Sequence, residues 1–383
     1  MFSLKRKLDK NLNYYLSHRS FNTYRVLIKC KSLLNQIAKK VSKYKGTLIY
    51  SLEYSNIICA SLNGKAIESL IEYPEVTHIT LDSFLFLCGS SIRSSNKFTP
   101  SEALNLTGRG IGVGIVDSGV FPHPDLLYPS NKIVRFIDLI NNITYPYDDN
   151  GHGTSICGII AGSGISSNNV FTGIATQSDL VCYKAFDKHG KGYASAILYA
   201  LECLIKESSD YNIKILCLPF ELLSYDFFII DCFDLTFKKA ISIGITPIVP
   251  SGSILNSYKS ISGISILSSC ITVGASDYIY SSEGKINKTI KPDLKAPCLE
   301  ISCLNCNTSY ISEKNGKKLY PHKLQHSYIS LSGTSISAAY ISGLCALLYQ
   351  KDPCFTFNDI RSMLLLSKDD NYAGLINVSS LLS

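Results

Sequence analysis

Between residues 21 and 90 the spacing of apolar positions changes in a regular order. "TYRVLIKC" (23–30) alternates apolar and polar residues, the period of a strand with one face buried. "KSLLNQIAKKVSKY" (31–44) puts Leu34, Ile37, Ala38 and Val41 at helical spacing and ends before Gly46, a helix stop. "TLIYSLEY" (47–54) and "NIICASL" (56–62) predict a hairpin, "GKAIESLIEYP" (64–74) a short helix ended by Pro74, and "VTHITLDSFLFL" (76–87) a last strand. The order βαββαβ is the split βαβ arrangement and predicts a small α+β unit able to stand alone.

The pattern then breaks. "CGSSIRSSNKFTPSEA" (88–103) is rich in Ser, Gly and charge and poor in apolar residues, so a linker over 91–104 is expected between a domain of residues 1–90 and a body of residues 105–383. In the body, apolar β-rich segments alternate with helix-like ones, among them "IGVGIVDSG", "SICGIIAG", "DLVCYKAF", "YASAILYALECLI", "IKILCLPF" and "ITPIVPSG". That alternation predicts an α/β, doubly wound, mostly parallel sheet covered on both faces. No repeat or low-complexity tract interrupts it.

Composition narrows the class. With 46% hydrophobic and 17% charged residues the chain is set to bury a core rather than stay disordered. No apolar run reaches the roughly 18 residues of a membrane span. The basic start "MFSLKRKLDKNLNYYLSHRS" has no apolar stretch and no small-residue cleavage site, so a cytoplasmic location without a signal peptide is expected, with spore association left open. In that setting the 14 cysteines read as reduced, buried small hydrophobes.

Charge is uneven. Residues 1–45 hold 12 Lys/Arg against one acid, Asp9, leaving 25 basic and 29 acidic residues in the remainder. A basic start suits nucleic acid or an anionic membrane, but no nucleic-acid motif accompanies it. The expected partner is instead intramolecular, a basic module against a mildly acidic one.

Three segments carry chemistry. "GVGIVDSG" puts Asp117 at the carboxyl end of an apolar strand, where parallel sheets collect functional groups. "DDNGHGTSICGIIAG" puts His152 between two glycines at the start of a small-residue helix, which leaves the imidazole accessible. "LSGTSISAAYISG" puts Ser335 at another helix start, where an unpaired N–H and the helix dipole favour an anion. Singly, these residues read as a turn former, a structural histidine and a cap. Together they make a candidate nucleophile, its base, and a carboxylate to orient the base.

"IVDSGVFPHPDL", "NGHGTSICGIIAG" and "LSGTSISAAYISG", in this order, resemble the subtilisin-like serine proteases, the subtilases. Further matches are "FTGIATQSDLVCYKAFDKHGKG" (171–192), "CITVGASD" (270–277) and "KPDLKAP" (291–297), so the resemblance covers about residues 105–365. "YPYDDNGHGT" (145–154) is closest in flavour to bacterial cytoplasmic subtilases. The resemblance implies a subtilisin-like body with catalytic Asp117, His152 and Ser335, acting on peptide or protein substrates without metal or cofactor. It also identifies residues 21–90 as a ferredoxin-like propeptide, a chaperone and intramolecular inhibitor cleaved from the body within 88–103.

The sequence departs from the family where substrate is held. The oxyanion hole implied for the family pairs the nucleophile's N–H with an Asn side chain. Here Ser335 keeps its backbone donor, but Ser253 follows Gly252 in "ITPIVPSGSILN", with Asn256 three residues on. Losing such a donor costs roughly 10²–10³ in rate in subtilisin, the stock example. The substrate-pairing segment is replaced by "CLPFE", so Leu218, Pro219 and Phe220, with Ser251 and Gly252 opposite, are the expected substrate-binding residues. Ala339 and Cys298 stand where the family has Pro and Gly. Two readings follow: a serine endopeptidase of slow or narrow, self-processing activity, or a weakened or pseudo-protease that binds and regulates a partner, as germination subtilases do.

Other signals are set aside. Cys303, Cys306, His322 and His326 have zinc-finger spacing but sit in a polar loop of a cysteine-rich chain, and no metal is expected there. "SGISSNN" (163–169) lacks the acids calcium prefers, and neither "GKG" (190–192) nor "GRGIGVG" (108–114) forms a phosphate loop.

Overall fold

Tyr24, Val26, Ile28 and Cys30 are buried along one face of the strand Tyr24–Cys30 while Arg25 and Lys29 are exposed, as the alternation requires. A computed structural model describes residues 4–52, 56–81, 106–222, 227–253, 261–276, 278–286, 289–369 and 374–382. The chain divides into two units, Met1–Cys88 and Gly89–Ser383.

The first unit has a four-stranded antiparallel sheet in the order Thr47–Leu52, Ile57–Leu62, Tyr24–Cys30, Val76–Leu81. Helices Leu34–Lys43 and Gly64–Leu70 bury Ile37, Val41, Ala66, Ile67 and Leu70 in the same core, which completes a ferredoxin-like unit. The basic start is more than charge. Leu4–Lys7 and Lys10–Ser17 are helical, Leu8 and Leu12 join the core, and Lys7 Nζ donates to the carbonyls of Ile71 and Tyr73 at 2.8 and 2.9 Å. Residues 82–87 of the last predicted strand and the linker 91–104 lie outside the described residues.

The second unit is α/β, built on a nine-stranded sheet. From one edge the order is Lys368–Asp369, Leu375–Ile376, Leu294–Ala296, Ile271–Ala275, Thr246–Pro250, Ile213–Cys217, Gly112–Asp117, Asp179–Lys184, Ile133–Asp138. All neighbours are parallel except the first pair. Gly112–Asp117 and Thr246–Pro250 are buried at every position, which explains their unbroken apolar runs: both faces are covered. The edge strand Ile133–Asp138 buries Ile133, Phe136 and Asp138 and leaves Val134 exposed, with a register shift between Ile133 and Arg135.

The helix Thr334–Lys351 is buried from Ile336 to Tyr349 and runs through the core against the sheet. Its small polar residues are satisfied there: Ser337 Oγ donates to Ala296 O at 2.9 Å and Ser342 Oγ to Ala338 O at 2.8 Å. At its far end Gln350 Oε1 accepts the backbone N–H groups of Thr107 and Gly108 at 2.7 and 2.6 Å. That fastens the first described residues of this unit to the core.

"KPDLKAP" holds a buried charge cluster. Asp293 accepts Lys291 Nζ at 2.7 Å, Arg361 Nη2 at 2.8 Å and the Thr272 N–H at 2.8 Å, and so joins the Arg361 helix to the sheet. The described cysteines are all free thiols and mostly buried. Among the described residues no helix is long and apolar enough to cross a membrane.

Candidate active site

Asp117 ends the strand Gly112–Asp117, is almost fully buried, and accepts the Ser118 N–H at 2.6 Å. His152 opens the helix His152–Ala161, and its Nδ1 lies 2.9 Å from both carboxylate oxygens of Asp117. A carboxylate can only accept, so Nδ1 carries the proton and Nε2 is left with a lone pair. Nε2 faces Ser335 Oγ at 3.0 Å. Three residues distant along the chain thus form one hydrogen-bonded series. The imidazole keeps 36% exposure against 7% for the carboxylate, so the series opens to solvent at the hydroxyl end.

The two helix starts are treated differently. At the histidine helix the orphan first-turn N–H groups all have acceptors: His152 N donates to Asn150 Oδ1, Gly153 N to Ser118 Oγ, and Thr154 N to Asp148 Oδ2. Asp148, fully buried, also accepts Ser118 Oγ, Thr154 Oγ1 and the Gly151 N–H. Gly153 is needed for contact, since a Cβ there would meet Gly119 O at 2.1 Å and Asp117 Cβ at 3.1 Å. At the Ser335 helix no side chain caps the N-terminus, and of the first-turn donors the Ile336 N–H is taken by Gly333 O at 3.0 Å.

His152 has its pKa raised above the ordinary 6.5. Desolvation works against the charge, but the charge and hydrogen bond of Asp117, with Asp148 behind, outweigh it. Lys184 is a buried cation nearby. Its Nζ donates to Ser118 O and Asp149 Oδ1, both at 2.6 Å, and to Phe186 O at 2.9 Å, which holds the loop after Asp117.

A cavity of about 430 Å³ adjoins the hydroxyl and is lined by Pro219, Phe220, Glu221, Gly252 and Ser253 beside His152 and Ser335. Ser253 Oγ lies 3.4 Å from Thr334 Oγ1, next to the open helix start. Leu218 and Ser251 are buried and are not among the lining residues, Leu218 lying in the core and Ser251 Oγ bonding Ser281 Oγ at 3.2 Å. Asn256 lies outside the described residues.

Asp148 and Glu221 escaped the sequence reading. Asp148 was visible only as one acid of "DDNGHGT", and Glu221 as the residue after Phe220. Cys303 is buried, Cys306 Sγ lies 3.7 Å from Asp148 O, and His322 and His326 are exposed. Among the described residues no group of three or more His, Cys, Asp or Glu is placed to hold a metal ion.

An α/β protein with Ser, His and Asp in series at one end of a parallel sheet has the make-up of an acyl-transfer enzyme. Residues 108–379 match the profile of the Subtilase family. The chain belongs to the subtilase family, whose members are serine-type endopeptidases. It is 32% identical over 277 residues to the serine protease AprX of Bacillus subtilis (strain 168), covering 68% of this chain and 61% of that protein. It is 25% identical over 363 residues to subtilisin E of the same organism, covering 91% of this chain and 87% of the relative. A crystal structure of a cold adapted subtilisin-like serine proteinase shares the fold with a TM-score of 0.54 at 20% identity, covering 71% of this chain and 89% of that one.

Proposed function

We propose that this chain is a serine endopeptidase that hydrolyses peptide bonds through Asp117, His152 and Ser335. The carrying observation is the unbroken series of hydrogen bonds, 2.9 Å from Asp117 to His152 and 3.0 Å from His152 to Ser335. Ser335 Oγ attacks the scissile carbonyl as its proton passes to His152 Nε2. The resulting imidazolium is stabilised by Asp117 and gives its proton to the leaving amine. Water then repeats the sequence on the acyl-enzyme and frees Ser335. The developing oxyanion is met by the Ser335 N–H at the uncapped helix start and by Ser253 Oγ.

A serine hydroxyl is shorter than the carboxamide of the family pattern, which supports a slow or narrow activity. The N-terminal unit acts as chaperone and inhibitor, and the chain cuts itself within 88–103. Its ferredoxin-like topology and its excess of basic over acidic residues support that role. The altered wall of Pro219, Phe220 and Glu221 supports the second reading, a regulatory binding protein. Fluorophosphonate labelling separates the two. Wild type is expected to take the label and to appear as two fragments, and Ser335→Ala to do neither. An intact, unlabelled wild-type chain would falsify the peptidase reading.

A further inference from the structure

We propose that Glu221 selects the substrate, making the cavity beside Ser335 a seat for a Lys or Arg side chain on the acyl side of the scissile bond. The inference rests on the peptidase reading and deepens it. Glu221 is exposed and lines the cavity within the same wall as Pro219 and Phe220. Its Oε2 accepts the Ser253 N–H at 2.9 Å, which ties the carboxylate across to the opposite wall. Gly252 fits this crossing: its φ is +93° and a Cβ would stand 2.6 Å from Glu221 Oε2.

The electrostatics point one way. The charged residues among the described lining are Asp117, His152 and Glu221, with no Lys or Arg. Asp117 is engaged by His152, whereas no Lys, Arg or His among the described residues pairs with Glu221. A carboxylate without a cation in a concave wall favours a cationic guest. Phe220 and Phe186, with ring centroids 5.3 Å apart, line the same cavity and offer faces to the alkyl stem or charge of such a guest.

The acyl side follows from position. His152 must face the leaving amine, while Ser253 stands at the start of the nucleophile helix, next to Thr334. The Glu221–Ser253 wall therefore borders the half of the substrate that stays bound to Ser335.

Peptide nitroanilides ending in Arg, Lys, Phe, Leu or Glu test this with the full chain, with fluorophosphonate labelling as a check on the triad. Wild type is expected to favour Arg and Lys over Phe and Leu by about tenfold or more in kcat/KM. Glu221→Gln keeps an acceptor for the Ser253 N–H but removes the charge, and is expected to shrink that ratio by about tenfold. Glu221→Lys is expected to move the preference toward Glu. Labelled wild type that cleaves without favouring Arg or Lys overturns the proposal alone, as does Glu221→Gln that retains the preference. Wild type that neither labels nor cleaves any of the five defeats the peptidase reading and this inference with it.

Discussion

The His152 imidazole is tuned by two carboxylates, one touching it and one behind. Asp117 accepts the Nδ1–H hydrogen bond directly, while Asp148 caps the histidine helix and adds its charge. Because the raised pKa of His152 stabilises the imidazolium, the proton-bound form contributes stability that is fully present below the ordinary 6.5. That contribution is lost as pH rises through the folded value. In the proposed mechanism the reactive form is the neutral one. Labelling of Ser335 by a fluorophosphonate is therefore expected to rise with pH, with a midpoint above 6.5. Asp117→Asn is expected to move that midpoint down and to slow labelling by about 10⁴, as in other triad enzymes. A midpoint unmoved by Asp117→Asn would show that the charge beside His152 does not set it.

Elements bring these residues together only because glycine and buried charge permit close approach. Gly153→Ala would drive a Cβ into the Gly119 carbonyl, and backbone on both sides has no free end to yield. Loss of labelling together with a lowered Tm is the expected result. Asp293→Ala would leave Lys291, itself buried, without its carboxylate and detach Arg361, and is expected to destabilise by about 3–5 kcal/mol in urea unfolding. Repetitive strands and helices were legible because their period survives burial, as at Tyr24–Cys30 and Leu34–Lys43. Ile133–Asp138 was not: Arg135 and the outward Val134 dilute its apolar signal at the sheet edge.

At the scale of the whole chain, Asp117, His152 and Ser335 were legible because each stands in a motif at the end of a regular element. Asp148 and Glu221 were not, because their roles arise from contacts with Thr154 and Ser253 that no local pattern announces. The two choices interact. If the cavity takes a basic residue, self-processing within "CGSSIRSSNKFTPSEA" is expected to follow Arg93 or Lys97. N-terminal sequencing of the larger fragment should then begin at Ser94 or Phe98. A start at any other residue would separate processing from the pocket's preference.

The clasp of Gln350 on Thr107 and Gly108 sets a tether length for that event. Ser335 and Gln350 lie fifteen positions apart on one helix, about 22 Å at 1.5 Å per residue. A fully extended chain gains at most about 3.6 Å per residue, so at least six or seven residues must separate Thr107 from any bond it presents to its own hydroxyl. Bonds beyond about Pro100 are out of range in cis, whereas those after Arg93 and Lys97 have slack. Shortening the stretch between Lys97 and Thr107 by five residues should therefore confine first-order self-cleavage to the bond after Arg93 and make cleavage after Lys97 depend on protein concentration.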